Sequence, residues 1–340
     1  MIIAIYSAFF IFFSSTIYEM DELSSKQWYI QEKYKGLIQN DENCGEENFI
    51  KNSSVEISSV YDIGIVRAWK RNQKGKKVII ALIDTTVDIY HEDLYENIWV
   101  NNNEIPFDNI DNDGNGYIDD YNGWNFVINN GYVNSDADIN EHGTHCAGII
   151  AAGHNKVGVM GIAGNSNVKL MVLPALLSKR TENDINNVIS AIKYAENNGA
   201  DICNLSFSFS EYSKELDDVI RNSNMLFVVA SGNYSSDLGG GIDLEKVEQY
   251  PASFNYKNVI TVANLSDDMK IAYNSNYGKN TVDIGAPGEF IYSTLPKNRY
   301  GFMSGSSQAA PIVSGILAMI YSYYKDDTIY DSVDRLYNNS

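Results

Sequence analysis

The sequence predicts an α/β fold in which helices flank a doubly wound, mostly parallel sheet. From residue 78 onward, five short apolar runs rich in β-branched residues alternate with helix-length segments. Continuous apolar runs suit strands that are buried on both faces, and the alternation is typical of α/β domains. With 340 residues, of which 44% are hydrophobic and 20% charged, the chain has enough apolar material for one large core.

The individual elements follow from these runs. The segment between the second and third strands carries apolar residues at helical spacing from Thr181 to Asn197 and is predicted to be an amphipathic helix. The run after Ile312 is predicted to be a buried helix. The predicted strands cover residues 78–84, 168–173, 200–207, 225–231 and 258–264.

The N-terminus begins with an apolar run from Ile2 to Phe13, followed by small polar residues. About twelve apolar residues are too few to cross a bilayer but fit the core of a signal peptide. We therefore predict a signal peptide over residues 1–16, no membrane span beyond it, and a secreted or surface-exposed protein. A buried N-terminal strand and an uncleaved anchor are the alternatives.

Charge and cysteine content narrow the function further. The chain has 25 Lys and Arg against 44 Asp and Glu, a net charge of −19, which argues against a nucleic-acid partner. Acidity of this kind favours solubility or cation binding. Three cysteines exclude a scaffold built on disulfides.

Four polar residues lie where an α/β fold places its chemistry, at strand ends or helix starts. Asp84 ends the first apolar strand, and Asn233 follows a later buried strand. His142 precedes small residues at a predicted helix start, and Ser307 leads into the apolar helix. A second histidine, His145, is three residues from the first, but no third ligand motif is nearby, which argues against zinc.

These residue types together fit nucleophilic catalysis. A serine hydroxyl needs a base such as imidazole, and the imidazole needs a carboxylate that fixes its tautomer and orientation. An asparagine amide and a backbone N–H can stabilise the oxyanion that forms. The chain order Asp, His, Ser differs from the orders of chymotrypsin-type enzymes and α/β-hydrolases, and it is the subtilisin order.

The sequence resembles the subtilisin-like (S8) serine proteases over roughly residues 57–325. The segment 277–315, YGKNTVDIGAPGEFIYSTLPKNRYGFMSGSSQAAPIVSG, is similar to the family's approach to its nucleophile. The resemblance implies a serine endopeptidase acting on polypeptides through an acyl-enzyme. It also implies a role for each site residue: Asp84 orients the base His142, Ser307 is the nucleophile, Asn233 is the oxyanion donor, and Ser206, Phe207 and Ser208 form the substrate strand.

The chain departs from the family pattern at three places. Thr86 stands where a glycine is usual, Ser306-Ser307-Gln308 where Thr-Ser-Met is usual, and Ser206–Phe209 where Ser-Leu-Gly-Gly is usual. These departures leave a second interpretation open: a degenerate subtilisin-fold surface protein that binds a partner with little or no proteolysis. A calcium-binding module without protease activity would explain an acidic loop but not the four ordered residues.

Two calcium sites are predicted. Asp111, Asp113, Asn115 and Asp119 occupy positions one, three, five and nine of an EF-hand-like loop, although position twelve is Asn122 instead of glutamate. A solvated acidic turn is the alternative. The resemblance implies a second site, with Asp93 and Asn155 as side-chain ligands and carbonyls near Val157 and Val159.

The resemblance and the composition divide the chain into four parts. Residues 1–16 are the signal peptide, 17–58 a short polar N-terminal or pro segment, 59–325 the peptidase domain and 326–340 a C-terminal tail. Because so short a pro segment can hardly build its own core, we expect that the chain expressed alone does not mature efficiently, and that it needs a helper in trans or stays mostly unprocessed. Cys146, one helical turn after the base, and Cys203 are predicted to be buried free thiols, whereas Cys44 is unassigned.

Overall fold

The computed structural model describes residues 20–31, 34–38, 55–59, 62–71, 75–135, 141–177, 181, 183–233 and 240–338. The predicted signal peptide and Cys44 lie outside these residues. Among the helices of the described part of the chain, none is long and apolar enough to cross a membrane.

The central feature is a six-stranded sheet in which every neighbouring pair of strands is parallel. The strands are Tyr34–Ile38 (β1), Val55–Ser59 (β2), Val78–Asp84 (β3), Val168–Pro174 (β4), Ile202–Leu205 (β5), Leu226–Ala230 (β6), Val259–Leu265 (β7), Ile284–Pro287 (β8), Ile291–Leu295 (β9) and Arg299–Met303 (β10). The strand order of the six-stranded sheet is β4-β3-β5-β6-β7-β8, so the chain winds outward on both sides of β3 and β5. Two antiparallel pairs, β1 with β2 and β9 with β10, lie outside this sheet.

Helices cover the sheet, and the longest one carries the predicted nucleophile near its start. The α-helices are Ile65–Trp69 (α1), Glu141–Ala151 (α2), Asp184–Asn197 (α3), Lys214–Asn222 (α4), Ser306–Tyr323 (α5) and Ile329–Asn338 (α6). The fold class, the five predicted strands and the two predicted helices are therefore confirmed. Strand β8 was not predicted, because its four residues, IGAP, include a glycine and a proline and show no strand pattern.

Two hydrophobic clusters fill the faces of the sheet. One includes α2 and α5 and holds side chains such as Ile80, Leu82 and Val228. The other lies under α3 and α4 and holds the alternate residues of the same strands, such as Ala81 and Ile83. Burial on both faces explains why these strands have continuous apolar sequences.

The packed body extends beyond both predicted domain boundaries. Trp28, Tyr29 and Ile30 are buried in the core, although they lie in the segment expected to be polar. The indole Nε1 of Trp28 donates to the carbonyl of Glu289 at 2.9 Å, and the amide of Ile63 donates to the carbonyl of Tyr29 at 3.0 Å. A triplet of apolar residues is too short to give a periodic signal.

The C-terminal segment behaves in the same way. Helix α6 lies within residues 326–340, which were expected to be a tail, and it packs against α5. Ile329, Val333 and Leu336 are buried on its inner face. Residues on both sides of the expected domain therefore contribute to its core.

The N-terminal contact gives a prediction about stability. Replacing Trp28 with alanine removes a side chain that is only 1% exposed and a hydrogen bond, so the free energy of unfolding should fall by about 3–5 kcal/mol. Chemical denaturation measures the change. The control Tyr273→Ala removes an aromatic side chain that is 75% exposed and should change stability little. Equal stability of Trp28→Ala and wild type would show that residues 20–31 are not part of the folded core.

Candidate active site

Asp84 and His142 form the best-defined contact of the site. The Nδ1 atom of His142 lies 2.7 Å from Oδ1 of Asp84, which is almost fully buried at the end of β3. The same oxygen accepts a hydrogen bond from the amide of Thr85 at 2.7 Å. Because an ionised carboxylate only accepts, the proton of the neutral imidazole lies on Nδ1, and Nε2 of this neutral form has the free lone pair.

A glycine lets α2 approach the end of β3 closely enough for this contact. A Cβ atom at Gly143 would lie 2.7 Å from the carbonyl oxygen of Thr85 and 2.8 Å from that of Thr86. The amide of Gly143 also donates to Oγ1 of Thr85 at 3.0 Å. The small residue after His142 is therefore required by packing.

The environment raises the pKa of His142 well above its ordinary value. Burial acts in the opposite direction, but the adjacent Asp84 carboxylate outweighs it. Burial in turn raises the pKa of the Cys146 thiol, so this group is neutral near pH 7 and Asp84 supplies the charge. Cys146 and Cys203 are both buried free thiols, as predicted.

Ser307 lies in the first turn of α5 beside the same thiol. The Sγ atom of Cys146 is 3.4 Å from the carbonyl oxygen of Ser307 and 3.9 Å from Nδ1 of His142. The hydroxyl of Ser307 donates to the carbonyl of Ser206 at 2.9 Å. It must turn from this carbonyl to donate to His142, and such catalytic contacts commonly tighten only when substrate binds.

Asn233 follows β6 and is oriented by the loop that leads into α5. Its Oδ1 atom accepts a hydrogen bond from the amide of Ser306 at 2.8 Å. With the oxygen held as acceptor, the NH₂ group is presented as a donor. The side chain of Ser306 also takes part, because its Oγ accepts a hydrogen bond from the backbone amide of Gly232 at 3.0 Å.

The predicted substrate strand leaves the sheet after β5. Ser206 contacts Ser307 directly, whereas the ring of Phe207 is buried and packs against Phe209 with 5.3 Å between ring centroids. Ser208 lies close to Gly232, just after the end of β6. A Cβ atom added to Gly232 would lie 3.2 Å from Oγ of Ser208. The side chain of Phe207 therefore belongs to the core.

The acidic loop brings two of the predicted carboxylates, Asp111 and Asp113, together with Glu104, which was not predicted. Glu104, Asp111 and Asp113 each offer an oxygen within 4.8 Å of the others. Asp119 instead accepts from the amides of Asp108 and Asn109. Asn115 donates its amide to the carboxylate of Asp113 at 3.2 Å, so it borders the cluster.

Asp93 lies in a second carboxylate cluster. Its Oδ2 accepts from the amide of Val159 at 2.8 Å, while its buried Oδ1 has no hydrogen-bond partner among the described residues. Burial, with the negative charges of Asp21 and Glu92 nearby, raises the pKa of Asp93 to about 8. Asn155 lies in the adjacent loop, where its backbone N–H donates to Oδ2 of Asp21 at 3.3 Å.

Sequence reasoning missed Glu104 and Asp21. Glu104 lies outside the EF-hand-like spacing and joins the cluster because its Oε1 accepts from the amides of Asn112 and Asp113. Asp21 lies far away in the chain and is brought in by the docking of residues 20–31. Neither carboxylate forms part of a local motif.

Comparison with known proteins adds an independent finding. The model of the subtilase family, Peptidase_S8, matches residues 75–340. Subtilisin-like protease 1 of Plasmodium berghei is 38% identical over 277 residues, which cover 77% of this chain and 45% of the relative. The major intracellular serine protease of Bacillus subtilis is 33% identical over 261 residues, covering 76% of this chain and 72% of the relative.

Solved structures agree with the fold. The prenylagaramide maturation protease PagA superposes with a TM-score of 0.56 at 26% identity, covering 76% of this chain and 80% of its own. A cold-adapted subtilisin-like serine proteinase, at 24% identity and a TM-score of 0.54, shows likeness of fold, covering 78% of this chain and 84% of its own. The chain spans less than half of the Plasmodium relative.

The histidine environments give a prediction that requires no substrate. In carbon-13 NMR of labelled histidine, His142 should titrate with a midpoint above 6.5, and Asp84→Asn should move that midpoint to lower pH. The other three histidines should stay neutral at the pH where His142 titrates. Burial lowers the pKa of His145 to about 3, that of His154 to about 4, and that of His91 below its ordinary value.

The sign of the linked stability follows from the raised pKa. The contribution of the pair to folding is present below the unfolded-state pKa of histidine, about 6.5, and is lost as pH rises through the higher pKa of the folded protein. In the NMR experiment, the variant His142→Gln identifies the resonance of His142, because that resonance is missing from its spectrum. A His142 midpoint at or below 6.5 would contradict the charge coupling to Asp84.

Proposed function

The chain belongs to the subtilase family, and we propose that it is a serine endopeptidase that hydrolyses peptide bonds through an acyl-enzyme at Ser307. The single observation that carries this proposal is the 2.7 Å contact between Asp84 and His142 at the sheet edge where Ser307 and Asn233 also lie. An oriented base, a serine at a helix start and an aligned amide donor are the parts that acyl transfer requires.

The first half of the reaction forms the acyl-enzyme. The Ser307 hydroxyl turns from the carbonyl of Ser206 and gives its proton to Nε2 of His142 as Oγ bonds to the substrate carbonyl carbon. The carbonyl oxygen becomes an oxyanion, which accepts from Nδ2 of Asn233 and from the backbone N–H of Ser307. When the C–N bond breaks, the leaving amine takes the proton from His142 and an ester remains.

The second half restores the enzyme. Water gives a proton to Nε2 of His142 and its oxygen attacks the ester carbonyl, again with the oxyanion held by Asn233. The C–O bond to Ser307 breaks, Oγ takes the proton back, and the carboxylic acid leaves. Asp84 stays ionised throughout and stabilises the imidazolium that forms twice in each cycle.

The substrate class is a polypeptide in an extended conformation. Residues 206–208 follow β5 directly beside Ser307, so a peptide lying along them would bring its carbonyl to the hydroxyl. Backbone pairing along a strand edge supplies affinity that does not depend on sequence. Ser208 stands where the family usually has glycine, and its hydroxyl lies close to Gly232.

Localisation is proposed from the N-terminal sequence alone. The apolar run Ile2–Phe13 fits a signal peptide, so we infer that the protein enters the secretory pathway and acts outside the cell or at its surface. This run lies outside the described residues. The maturation helper in trans stays a prediction.

Both carboxylate clusters have features that fit calcium. Buried Asp93 Oδ1 and buried Glu104 Oε2 have no hydrogen-bond partner among the described residues, and hard oxygen ligands are what calcium prefers. Asp93, Asp21, Asn155 and nearby carbonyls would hold one ion, and Glu104, Asp111 and Asp113 a second. The charge of these carboxylates would be neutralised by the ions, which stabilises the fold and takes no part in acyl transfer.

The catalytic proposal predicts the effect of removing one oxygen atom. Ser307→Ala should abolish hydrolysis of labelled casein, with a loss of about 10⁶ in kcat, while leaving the melting temperature nearly unchanged. Asn233→Ala should lower kcat by about 10²–10³. Ser190→Ala, which removes a hydroxyl that donates to the carbonyl of Asn186 in the same helix, serves as the control. Equal hydrolysis by Ser307→Ala and wild type would place the nucleophile elsewhere.

The calcium proposal predicts a linked change in stability. A chelator should lower the melting temperature and calcium should restore it, because an ion at about 100 times its Kd stabilises the folded state by about 2.7 kcal/mol per site. Calorimetry of Asp93→Asn and Glu104→Gln should show a smaller calcium effect in each variant.

The control Glu211→Gln removes the same charge at an exposed position and should keep the full calcium effect. Melting curves that coincide in chelator and in millimolar calcium would identify both clusters as metal-free acidic turns.

A further inference from the structure

A continuous chain of buried hydrogen bonds runs from the middle of α5 to the predicted nucleophile. The Ser314 hydroxyl donates to Oδ1 of Asn204 at 2.8 Å. The Nδ2 atom of Asn204 donates to Oγ of Ser206 at 2.9 Å, and the Ser206 hydroxyl donates to the carbonyl of Ser307 at 2.9 Å. The side chains of Ser314, Asn204 and Ser206 are all buried.

Each donor in this chain fixes the next acceptor. The one proton of the Ser314 hydroxyl is given to Asn204, so the amide oxygen must face α5 and the NH₂ group must face Ser206. Ser206 therefore receives a hydrogen bond at Oγ and directs its own proton to Ser307. The Ser307 hydroxyl returns a bond to the carbonyl of Ser206, which holds the two residues together at two points.

Helix formation alone does not explain the hydrogen bond that the Ser314 hydroxyl makes. A serine in a helix commonly satisfies its hydroxyl by donating to the carbonyl four residues earlier, as the partly exposed Ser190 does with Asn186. Ser314 lies between apolar neighbours on the buried side of α5 and donates instead across to the middle of β5. Its hydroxyl is used to orient Asn204, a polar side chain in an otherwise apolar strand.

We propose that Ser314 is a positioning residue that aligns the nucleophile through Asn204 and Ser206. The inference rests on the proposed function, because it concerns the orientation of Ser307 as it attacks. Without the Ser314 hydroxyl, the Asn204 amide loses the partner that sets its direction, and Ser206 loses a defined donor. Small displacements of a reacting group cost rate far more than binding.

The variant Ser314→Ala tests the proposal against Ser322→Ala. Ser322 is also buried in α5, and its hydroxyl donates to the carbonyl of Lys76 at 2.7 Å, away from the site. Both variants lose one buried hydrogen bond, so both should lower the melting temperature to a similar degree. Only Ser314→Ala should lower kcat for peptide hydrolysis, by about tenfold, with KM and the midpoint of the pH profile unchanged.

A double-mutant cycle checks that the effect passes through Ser206. If the groups act in series, Ser314→Ala combined with Ser206→Ala should lower kcat no further than Ser206→Ala alone. Wild-type kcat in Ser314→Ala, an equal loss in Ser322→Ala, or additive losses in the double variant would overturn the inference while the protease assignment stands. A wild-type protein without Ser307-dependent hydrolysis would overturn both.

Discussion

The hydrogen bond between Asp84 and His142 is the contact on which the site depends. It joins the end of β3 to the first turn of α2 at 2.7 Å, it fixes the orientation of the imidazole ring, and it raises the pKa of His142. The packing around it is arranged for this approach, because any side chain at Gly143 would collide with the carbonyls of Thr85 and Thr86. The parallel sheet supplies the other partners, since β5 and β6 end at the same edge.

Helix α5 links the core of the protein to its chemistry. Its first turn carries Ser307, its middle packs on the sheet, and its buried Ser314 reaches β5 through Asn204. Helix α5 therefore both stabilises the core and carries Ser307. The N-terminal segment and α6 add to the core around it, which ties the ends of the described chain to the body that holds the site.

Much of this could be predicted from the sequence, for a physical reason in each case. The five predicted strands were readable because burial on both faces demands unbroken apolar runs, and Asp84, His142, Asn233 and Ser307 stood at strand ends or helix starts. The sequence could not predict the parts played by Glu104 and Asp21, or the hydrogen-bond chain from Ser314 to Ser206. Only the tertiary structure brings these residues to their partners. The apolar triplet from Trp28 was too short to show a period.

In the proposed mechanism, Asp84 and His142 together activate the Ser307 hydroxyl. The most direct test of this activation is reaction with a fluorophosphonate in calcium-containing buffer, followed by mass spectrometry of the intact chain and of its peptides. We expect one adduct per chain, located on Ser307. It should form faster as pH rises through the pKa of His142 and should be absent in His142→Gln. A folded wild-type protein that forms no adduct, or forms one on another residue, would contradict it.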